Sequence, residues 1–136
     1  MRATNLVRTT RFAFLCLEAG RELLRARVEI RVRKFGRIRE DLAVGVAPKS
    51  NPDGDEVLRV KAALRLAGRA IPIKLTCLPR AIAGKRMLRR RGFDSDIRIG
   101  ARMDNNVLSA HAWLVAEDVV VSGGLLKSHY SQLISF

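Results

Sequence analysis

The chain has few of the residues that hold disulfide-rich domains or metal sites together. Its 136 residues include only two cysteines and two histidines. Neither a Cys-x-x-Cys nor a His-x-x-x-His spacing occurs. Two cysteines do not make a disulfide framework, and no familiar set of metal ligands is present. We therefore expect no structural disulfides, no metal and no other cofactor.

Long apolar runs and secretory signals are also missing. The best candidate, residues 12–17, is too short for the apolar part of a signal peptide, and Glu18 follows it directly. No stretch approaches the roughly 20 apolar residues that a membrane helix needs. The sequence therefore predicts a cytoplasmic protein without a membrane span.

Aromatic residues are scarce, at 5 % of the chain, although hydrophobic residues as a whole reach 48 %. Charged residues make up 29 %, which is typical of a folded protein rather than a disordered one. The length predicts a single domain, residues 1–136, with one core. That core must be built mainly from leucine, valine, isoleucine and alanine.

Acidic residues are half as frequent as basic ones, with 13 Asp and Glu against 26 Lys and Arg, so the formal net charge is +13. Two clusters hold many of the basic residues: Arg25, Arg27, Arg31, Arg33, Arg37 and Arg39, and then Lys85, Arg86, Arg89, Arg90 and Arg91. They are interpreted either as a solvated face or as a surface for an acidic protein or peptide. Nucleic acid is the less favoured partner, because no interleaved aromatics or known nucleic-acid module accompany them.

The N-terminal part, residues 1–46, has the pattern of helices. Residues 5–28 show helical periodicity with one apolar face, formed by Leu6, Phe14, Leu17 and Leu24. The charged continuation to Glu40 is compatible with a helix or an exposed connection. Residues 47–55 are a loop rich in proline, glycine and aspartate, and a helix over residues 56–70 follows.

A further helix is predicted from Thr76 or Cys77 to Arg91, ending at Gly92. Proline is tolerated in a helix only in the first turn, so Pro79 fixes the start of this helix near Cys77. Four basic residues of this helix are expected to face outward: Lys85, Arg86, Arg89 and Arg90.

The pattern then changes to a period of two, which indicates strands over residues 96–103, 108–116 and 119–121 with turns between them. The tail, residues 125–136, stays open, with a short helix as one possibility. We therefore predict an α+β fold, with a helical N-terminal half packed on a small antiparallel sheet and a catalytic core over residues 56–124.

Cys77 and His111 are the candidates for chemistry. A thiol reacts as the thiolate, which a helix N-terminus or a nearby imidazole favours. His111, on a strand beside that helix, would take the thiol proton and return it to a leaving amine. The alternative is structural: Cys77 as a small core residue and His111 as a hydrogen-bonded core histidine.

The sequence around both residues resembles that of the lasso-peptide maturation proteases, the leader-peptidase B proteins of the transglutaminase-like superfamily. The shared pieces are Cys-x-x-Arg, here Cys77 and Arg80, at the start of a helix that ends in Arg-Arg-x-Gly. Two further shared pieces follow: a strand with Ile99-Gly100, and the motif His-Ala-Trp, here His111 to Trp113. The resemblance covers residues 77–124 closely and residues 8–70 loosely.

This resemblance implies a papain- or transglutaminase-like fold and a cysteine protease that cuts the leader from a ribosomally made precursor. It further implies an asparagine-synthetase-like cyclase that closes the core peptide, and a leader-recognition module. Because helix begins near the start of the chain, we expect that module to be a separate small protein. The basic clusters are expected to help dock it or an acidic leader.

The chain departs from the family at the third catalytic residue. The family's carboxylate is expected just after the strand that follows His-Ala-Trp, where this chain has Ser122-Gly123-Gly124. Ser122 is the nearest positional candidate to orient the His111 ring, with Asp104 and Asn105 as others. Asp118 belongs to the far turn. A hydroxyl or carbonyl stabilises an imidazolium less than a carboxylate does.

Several residues keep two interpretations. Arg80 contacts substrate carbonyls or forms a surface salt bridge, and Trp113 walls the site or belongs to the core. Gly100 marks a peptide cleft or a bulge. Cys16 is expected in the core and His129 at the surface.

Two other functions remain open. The chain could be a non-catalytic peptide- or nucleic-acid-binding protein on a degenerate transglutaminase-like fold. It could instead use the same thiol as an amidase or acyltransferase on another substrate.

Overall fold

The computed structural model describes residues 2–47, 53–124 and 129–136, with side chains from residue 5 onwards. Four helices come first: α1 (Arg2–Val32), α2 (Phe35–Ala43), α3 (Gly54–Ala70) and α4 (Cys77–Arg90). Four strands follow: β1 (Asp96–Asp104), β2 (Val107–Ala116), β3 (Val119–Ser122) and β4 (Ser131–Ser135). The strands form one antiparallel sheet in the order β3-β2-β1-β4, which confirms the predicted α+β class.

None of these helices is long and apolar enough to cross a membrane.

Helix α4 begins and ends where the sequence predicts. Thr76 is its N-cap residue and Pro79 lies in the first turn, where the missing N–H breaks no intrahelical bond. At the other end, Gly92 has a φ of +76°. The N–H of Phe93 donates to the carbonyl of Leu88, which closes the helix with a Schellman motif.

Short-range signals also fix α3 and the two hairpins. The side chain of Asp53 accepts a hydrogen bond from the N–H of Asp55 and so caps α3. The β1–β2 turn places both Asn105 and Asn106 at positive φ, as the two-residue turns favoured in hairpins require. The β2–β3 turn, residues 117–118, does the same.

Helix α4 is the centre of the fold. It packs against α1 and α3 on one side and against β2 and β3 on the other. Its buried residues are Pro79, Ala81, Ile82, Ala83, Gly84, Lys85, Met87 and Leu88. A Cβ on Gly84 would lie 2.5 Å from a methyl group of Leu114 and 3.0 Å from one of Leu64, so a glycine here lets the helix approach the sheet closely.

Helix α1 buries a different face from the apolar one that the sequence shows. The residues Leu6, Phe14, Leu17 and Leu24 are exposed. The face that packs on the core carries Leu15, Ala19, Glu22, Leu23 and Ala26. The buried face includes a carboxylate because α4 presents arginines to it.

Three glutamates of α1 form ion pairs with the second basic cluster. Glu22 is fully buried, with Oε1 2.5 Å from Arg90 Nη2. Arg86 lies 2.5 Å from Glu29 and 3.9 Å from Glu22. The expectation that Arg86 faces outward is therefore wrong, because the carboxylates of α1 draw its guanidinium between the two helices.

Lys85 is also buried, contrary to the prediction. Its ammonium group donates a hydrogen bond to the carbonyl of Ser95, just before β1. Burial lowers the pKa of Lys85, against the opposing effect of Asp96 and Asp94. Two residues of the basic cluster of α4 are therefore structural: Lys85 on the side of the sheet and Arg86 on the side of α1.

The ion pairs make the stability depend on pH. Burial opposes the ionisation of Glu18 and Glu29, but hydrogen bonds from arginines, including Arg91 to Glu18 and Arg86 to Glu29, lower the pKa of both carboxyls overall. A carboxyl with a lowered folded-state pKa stabilises the fold above its unfolded pKa. That stabilisation is lost as the pH falls through the folded-state pKa.

The C-terminal tail contains a strand where the sequence suggested a short helix. Residues 131–135 form the edge strand β4, paired antiparallel with β1. Ile97 and Phe136 exchange two backbone hydrogen bonds of 2.7 and 3.0 Å, which fasten the end of the chain to the sheet. Residues 125–128 lie outside the described part of the chain.

Replacing Glu22 with alanine tests the central ion pair. Removing one partner of a buried pair leaves the other charge uncompensated, so we expect Glu22→Ala to lower the free energy of unfolding by about 3 kcal/mol. Urea denaturation followed by circular dichroism measures the change. The exposed Glu40→Ala is the matched control and is expected to stay within about 0.5 kcal/mol of the parent. Equal effects of the two substitutions would contradict this account.

Candidate active site

Cys77 is the first residue of α4 and is half-buried. The first four N–H groups of a helix have no partner within the helix. Thr76 makes no capping hydrogen bond through its side chain, and Pro79 has no N–H. The N–H groups of Cys77 and Leu78 therefore have no acceptor within the helix, and this end of the helix favours negative charge.

The thiol of Cys77 lies against β2. The N–H of Ala112 donates to Sγ over 3.4 Å. Strand β3 pairs with β2 only from Leu114 to Ala116, so the N–H of Ala112 lies beyond the end of that ladder. The sulfur thus contacts the backbone next to His111, whereas no hydrogen bond joins Sγ to the His111 ring among the described residues.

The ring of His111 is held by a backbone carbonyl. Its Nε2 atom lies 2.7 Å from the carbonyl oxygen of Gly123. A carbonyl only accepts hydrogen bonds, so Nε2 of the neutral ring carries the proton and Nδ1 keeps the lone pair. The basic nitrogen is therefore Nδ1.

Gly123 owes its position to its lack of a side chain. Its φ is +73°, in the left-handed region. A Cβ there would collide with the carbonyl oxygen of Ala112 and lie 3.1 Å from the Cα atom of Trp113. Only a glycine allows the chain leaving β3 to pass this close to β2 and present its carbonyl to His111.

Ser122, the predicted partner of the His111 ring, does not fill that role. Its Oγ atom is buried and makes no hydrogen bond with the described residues. The next residue, Gly123, supplies the acceptor instead, through its backbone. No side-chain carboxylate among the described residues makes a hydrogen bond to His111.

The other predicted candidates for that role lie at the ends of the hairpins. Asp104 pairs with Val107 and forms an ion pair with Arg102 at 3.0 Å. Val107 precedes His111 by four residues, or about 13 Å along the strand. Asn105 follows in the same turn, and Asp118 lies in the opposite one.

Two aromatic rings flank His111. Trp113 is buried on the same face of β2, with its ring centroid 6.1 Å from that of His111 and an angle of 21° between the planes. Tyr130 lies 5.2 Å from His111, and its hydroxyl is 3.1 Å from Ser109 Oγ. Trp113 is therefore buried and packs beside the His111 ring. Sequence analysis did not predict the position of Tyr130 beside His111, because the tail shows no periodicity. Tyr130 is nevertheless the single tyrosine of the chain.

Gly100 lies opposite His111 in the β1–β2 ladder. A Cβ there would lie 2.9 Å from the carbonyl of Ser131 and 3.1 Å from the ring of Trp113. The β1–β4 register also shifts between Ile99 and Gly100. The extra residue is Leu133 of β4, so the irregularity lies in the strand that faces Gly100. The close backbone approach at Gly100 comes from the chain's own last strand.

The remaining candidates lie outside this arrangement. Arg80, one helical turn after Cys77, has its guanidinium carbon 3.5 Å from where a Cβ of Gly68 would be, so it extends toward α3. It forms no salt bridge with any described residue. Cys16 packs half-buried against the core, and His129 is exposed, as predicted.

The two thiols are expected to differ in reactivity. Burial raises the pKa of the Cys16 thiol, whereas Cys77 lies at a helix N-terminus and its sulfur accepts a hydrogen bond from the N–H of Ala112. We expect iodoacetamide at neutral pH to alkylate Cys77 about ten times faster than Cys16. Peptide mass spectrometry over a time course measures both rates. Faster labelling of Cys16 would contradict the placement of Cys77.

The same assay tests the carbonyl of Gly123. Gly123→Ala forces the chain away from Ala112, so His111 loses the acceptor that fixes its tautomer. Alkylation of Cys77 is expected to slow about tenfold. Gly36→Ala is the control, because a Cβ at Gly36 meets nothing within 4 Å. Unchanged labelling in Gly123→Ala would show that the carbonyl does not position the ring.

A comparison with known protein families gives a match. The family model of the transglutaminase-like superfamily matches residues 22–135. No curated protein and no solved structure gives a match. The matched residues include α3, α4 and the whole sheet, so they contain every group of the site. The chain therefore belongs to the transglutaminase-like superfamily, which includes cysteine proteases.

Proposed function

We propose that the chain is a cysteine peptidase that removes the leader peptide from a lasso-peptide precursor, with Cys77 as nucleophile and His111 as base. One observation carries the chemistry: the sulfur at an uncapped helix N-terminus contacts the His111–Ala112 peptide, while Gly123 holds Nε2. The family supports a thiol enzyme. The similarity of residues 77–124 to leader peptidases supports the substrate.

The groups present account for both halves of peptide hydrolysis. Nδ1 of His111 takes the proton of Cys77, and the sulfur attacks the carbonyl carbon of the scissile bond. The N–H groups of the first turn of α4 donate to the oxygen that becomes negative. The imidazolium then protonates the leaving amine, the C–N bond breaks, and the leader stays bound as a thioester. Water, deprotonated by His111, hydrolyses the thioester and frees the thiol.

The carbonyl of Gly123 limits this chemistry. It fixes the tautomer, as a carboxylate would, but it carries no charge to stabilise the imidazolium. Loss of the orienting carboxylate in other triads lowers the rate by orders of magnitude. The isolated chain is therefore proposed to be slow and to work best with its partners bound.

A separate small leader-recognition protein and an asparagine-synthetase-like cyclase are the proposed partners. Arg86 and Arg90 are engaged with the glutamates of α1, so they are not free for docking. An apolar groove of about 800 Å³ between α1 and α3 is the better site, with Leu17 70 % and Leu66 46 % exposed. We propose that the recognition protein covers this groove with an apolar surface of its own.

A second candidate is a non-catalytic protein that binds a peptide. The specific observation in its favour is the neutral carbonyl at the position expected for a catalytic carboxylate. On this account the thiol is a small residue at a helix end, and changing it leaves function intact.

Substitution separates the two candidates. When the chain is produced with precursor, recognition protein and cyclase, Cys77→Ala and His111→Ala are each expected to lower leader release at least a hundredfold. The measurement is mass spectrometry of the leader and of the mature peptide. Cys16→Ala is the control and is expected to keep normal release. Normal release with Cys77→Ala, in a variant whose circular dichroism matches the parent, would establish the non-catalytic alternative.

A further inference from the structure

A second cavity, of about 510 Å³, lies beside the proposed catalytic pair. It is bounded by α3, the first turns of α4 and the end of β3. Its floor is apolar, formed by Leu64, Val120 and Val121. The backbone of residues 122–124 closes one end. Three basic side chains surround it: Lys61, Arg65 and Arg80.

These three cations differ from those on the other side of α4. Arg86, Arg90 and Arg91 each form an ion pair with a glutamate. Lys61, Arg65 and Arg80 form none with the described residues, and none of the carboxylates in that part of the chain lines the cavity. Three positive charges thus converge on one partly apolar space without a compensating anion.

Two polar atoms at this cavity are buried without a partner. Arg80 Nε and Ser122 Oγ make no hydrogen bond with the described residues. Buried donors left unsatisfied are rare in folded proteins and destabilise them. Both groups can donate, but neither atom is exposed to a water-sized probe, so an anionic acceptor in the cavity satisfies them once the two side chains turn toward it.

The cavity adjoins the site on two sides. Arg80 follows Cys77 by one turn of α4, and Gly123, which lines the cavity, holds His111. A peptide bound across the sulfur can therefore reach this cavity along the first turn of α4, from Cys77 to Arg80. This inference rests on the proposed peptidase function.

We propose that the cavity is a substrate subsite for the carboxylate side chain of an aspartate or glutamate close to the scissile bond. The guanidinium of Arg80 donates to the carboxylate, the Ser122 hydroxyl donates a second hydrogen bond, and Lys61 and Arg65 add positive charge. The apolar floor accommodates the methylene groups of the side chain. Inorganic phosphate shares the charge but leaves that floor uncovered.

Covalent probes test the subsite without knowledge of the natural substrate. Each probe carries a vinyl sulfone in place of the scissile bond, with four alanine residues on each side. The thiol of Cys77 adds across the double bond of the vinyl sulfone and forms a covalent bond. Glutamate or glutamine is placed at one of the eight positions, which gives eight matched pairs. At one position or two adjacent ones, the glutamate probe is expected to label Cys77 about ten times faster than its glutamine counterpart.

The ratio of the two rates is the readout, because any loss of folded protein affects both rates equally. Arg80→Gln and Arg65→Gln are expected to bring the ratio close to one. Arg69→Gln removes an exposed charge from the same helix as Arg65, outside the cavity, and is expected to keep the parent ratio.

The outcomes separate this proposal from the proposed function. Labelling of Cys77 with a ratio of one in all eight pairs overturns the subsite and leaves the peptidase intact. A ratio that survives in both Arg80→Gln and Arg65→Gln also overturns it. If no probe labels Cys77 of the parent protein, the peptidase proposal itself fails. The cavity is a phosphate site instead if inorganic phosphate slows labelling by both probes of each pair, Arg80→Gln removes that slowing, and the ratio of the two rates stays at one.

Discussion

The buried carboxylate of Glu22 determines where α4 lies, and α4 determines the site. Two arginines one turn apart on α4 point to this carboxylate and its neighbours on α1, which fixes both the rotation and the axial position of the helix. Gly84 lets the opposite face of α4 approach the sheet. Because Cys77 is the first residue of the helix, the same contacts bring its sulfur to β2. A charge pair between two helices thus positions a thiol several turns away.

The site is built largely from backbone groups. The thiol receives a hydrogen bond from an N–H of β2 just beyond the β3 ladder, and the ring of His111 donates to the carbonyl of a glycine just after β3. Both groups are available because β3 is short and because Gly123 adopts a positive φ. A backbone carbonyl sets the tautomer of the imidazole as a carboxylate does, but without its charge. The chemistry therefore depends on geometry more than on electrostatic stabilisation of the imidazolium.

Local rules predicted much of this from the sequence. Pro79 is compatible with a helix only in its first turn, and that single constraint placed Cys77 correctly. The hairpins followed from period-two alternation and from turn residues that tolerate positive φ.

The errors concern long-range pairing. The buried face of α1 is chosen by arginines of α4 that lie more than 50 residues later, and periodicity alone favoured the face with larger apolar residues. Strand β4 forms because β1 offers an open edge, which the tail sequence does not reveal. The role of Gly123 depends on the contact between two strands, so Ser122 was the natural but incorrect choice.

The protonation of the His111 ring tests the central claim most directly. The His129→Gln variant, labelled with ¹⁵N-histidine, contains His111 as its single histidine. The chemical shifts of its two ring nitrogens, measured with the ring neutral, identify the tautomer. The account predicts a proton on Nε2, bound to the carbonyl of Gly123, and an Nδ1 resonance that moves when Cys77 is alkylated. A proton on Nδ1, or an Nδ1 resonance indifferent to the state of the thiol, would contradict it.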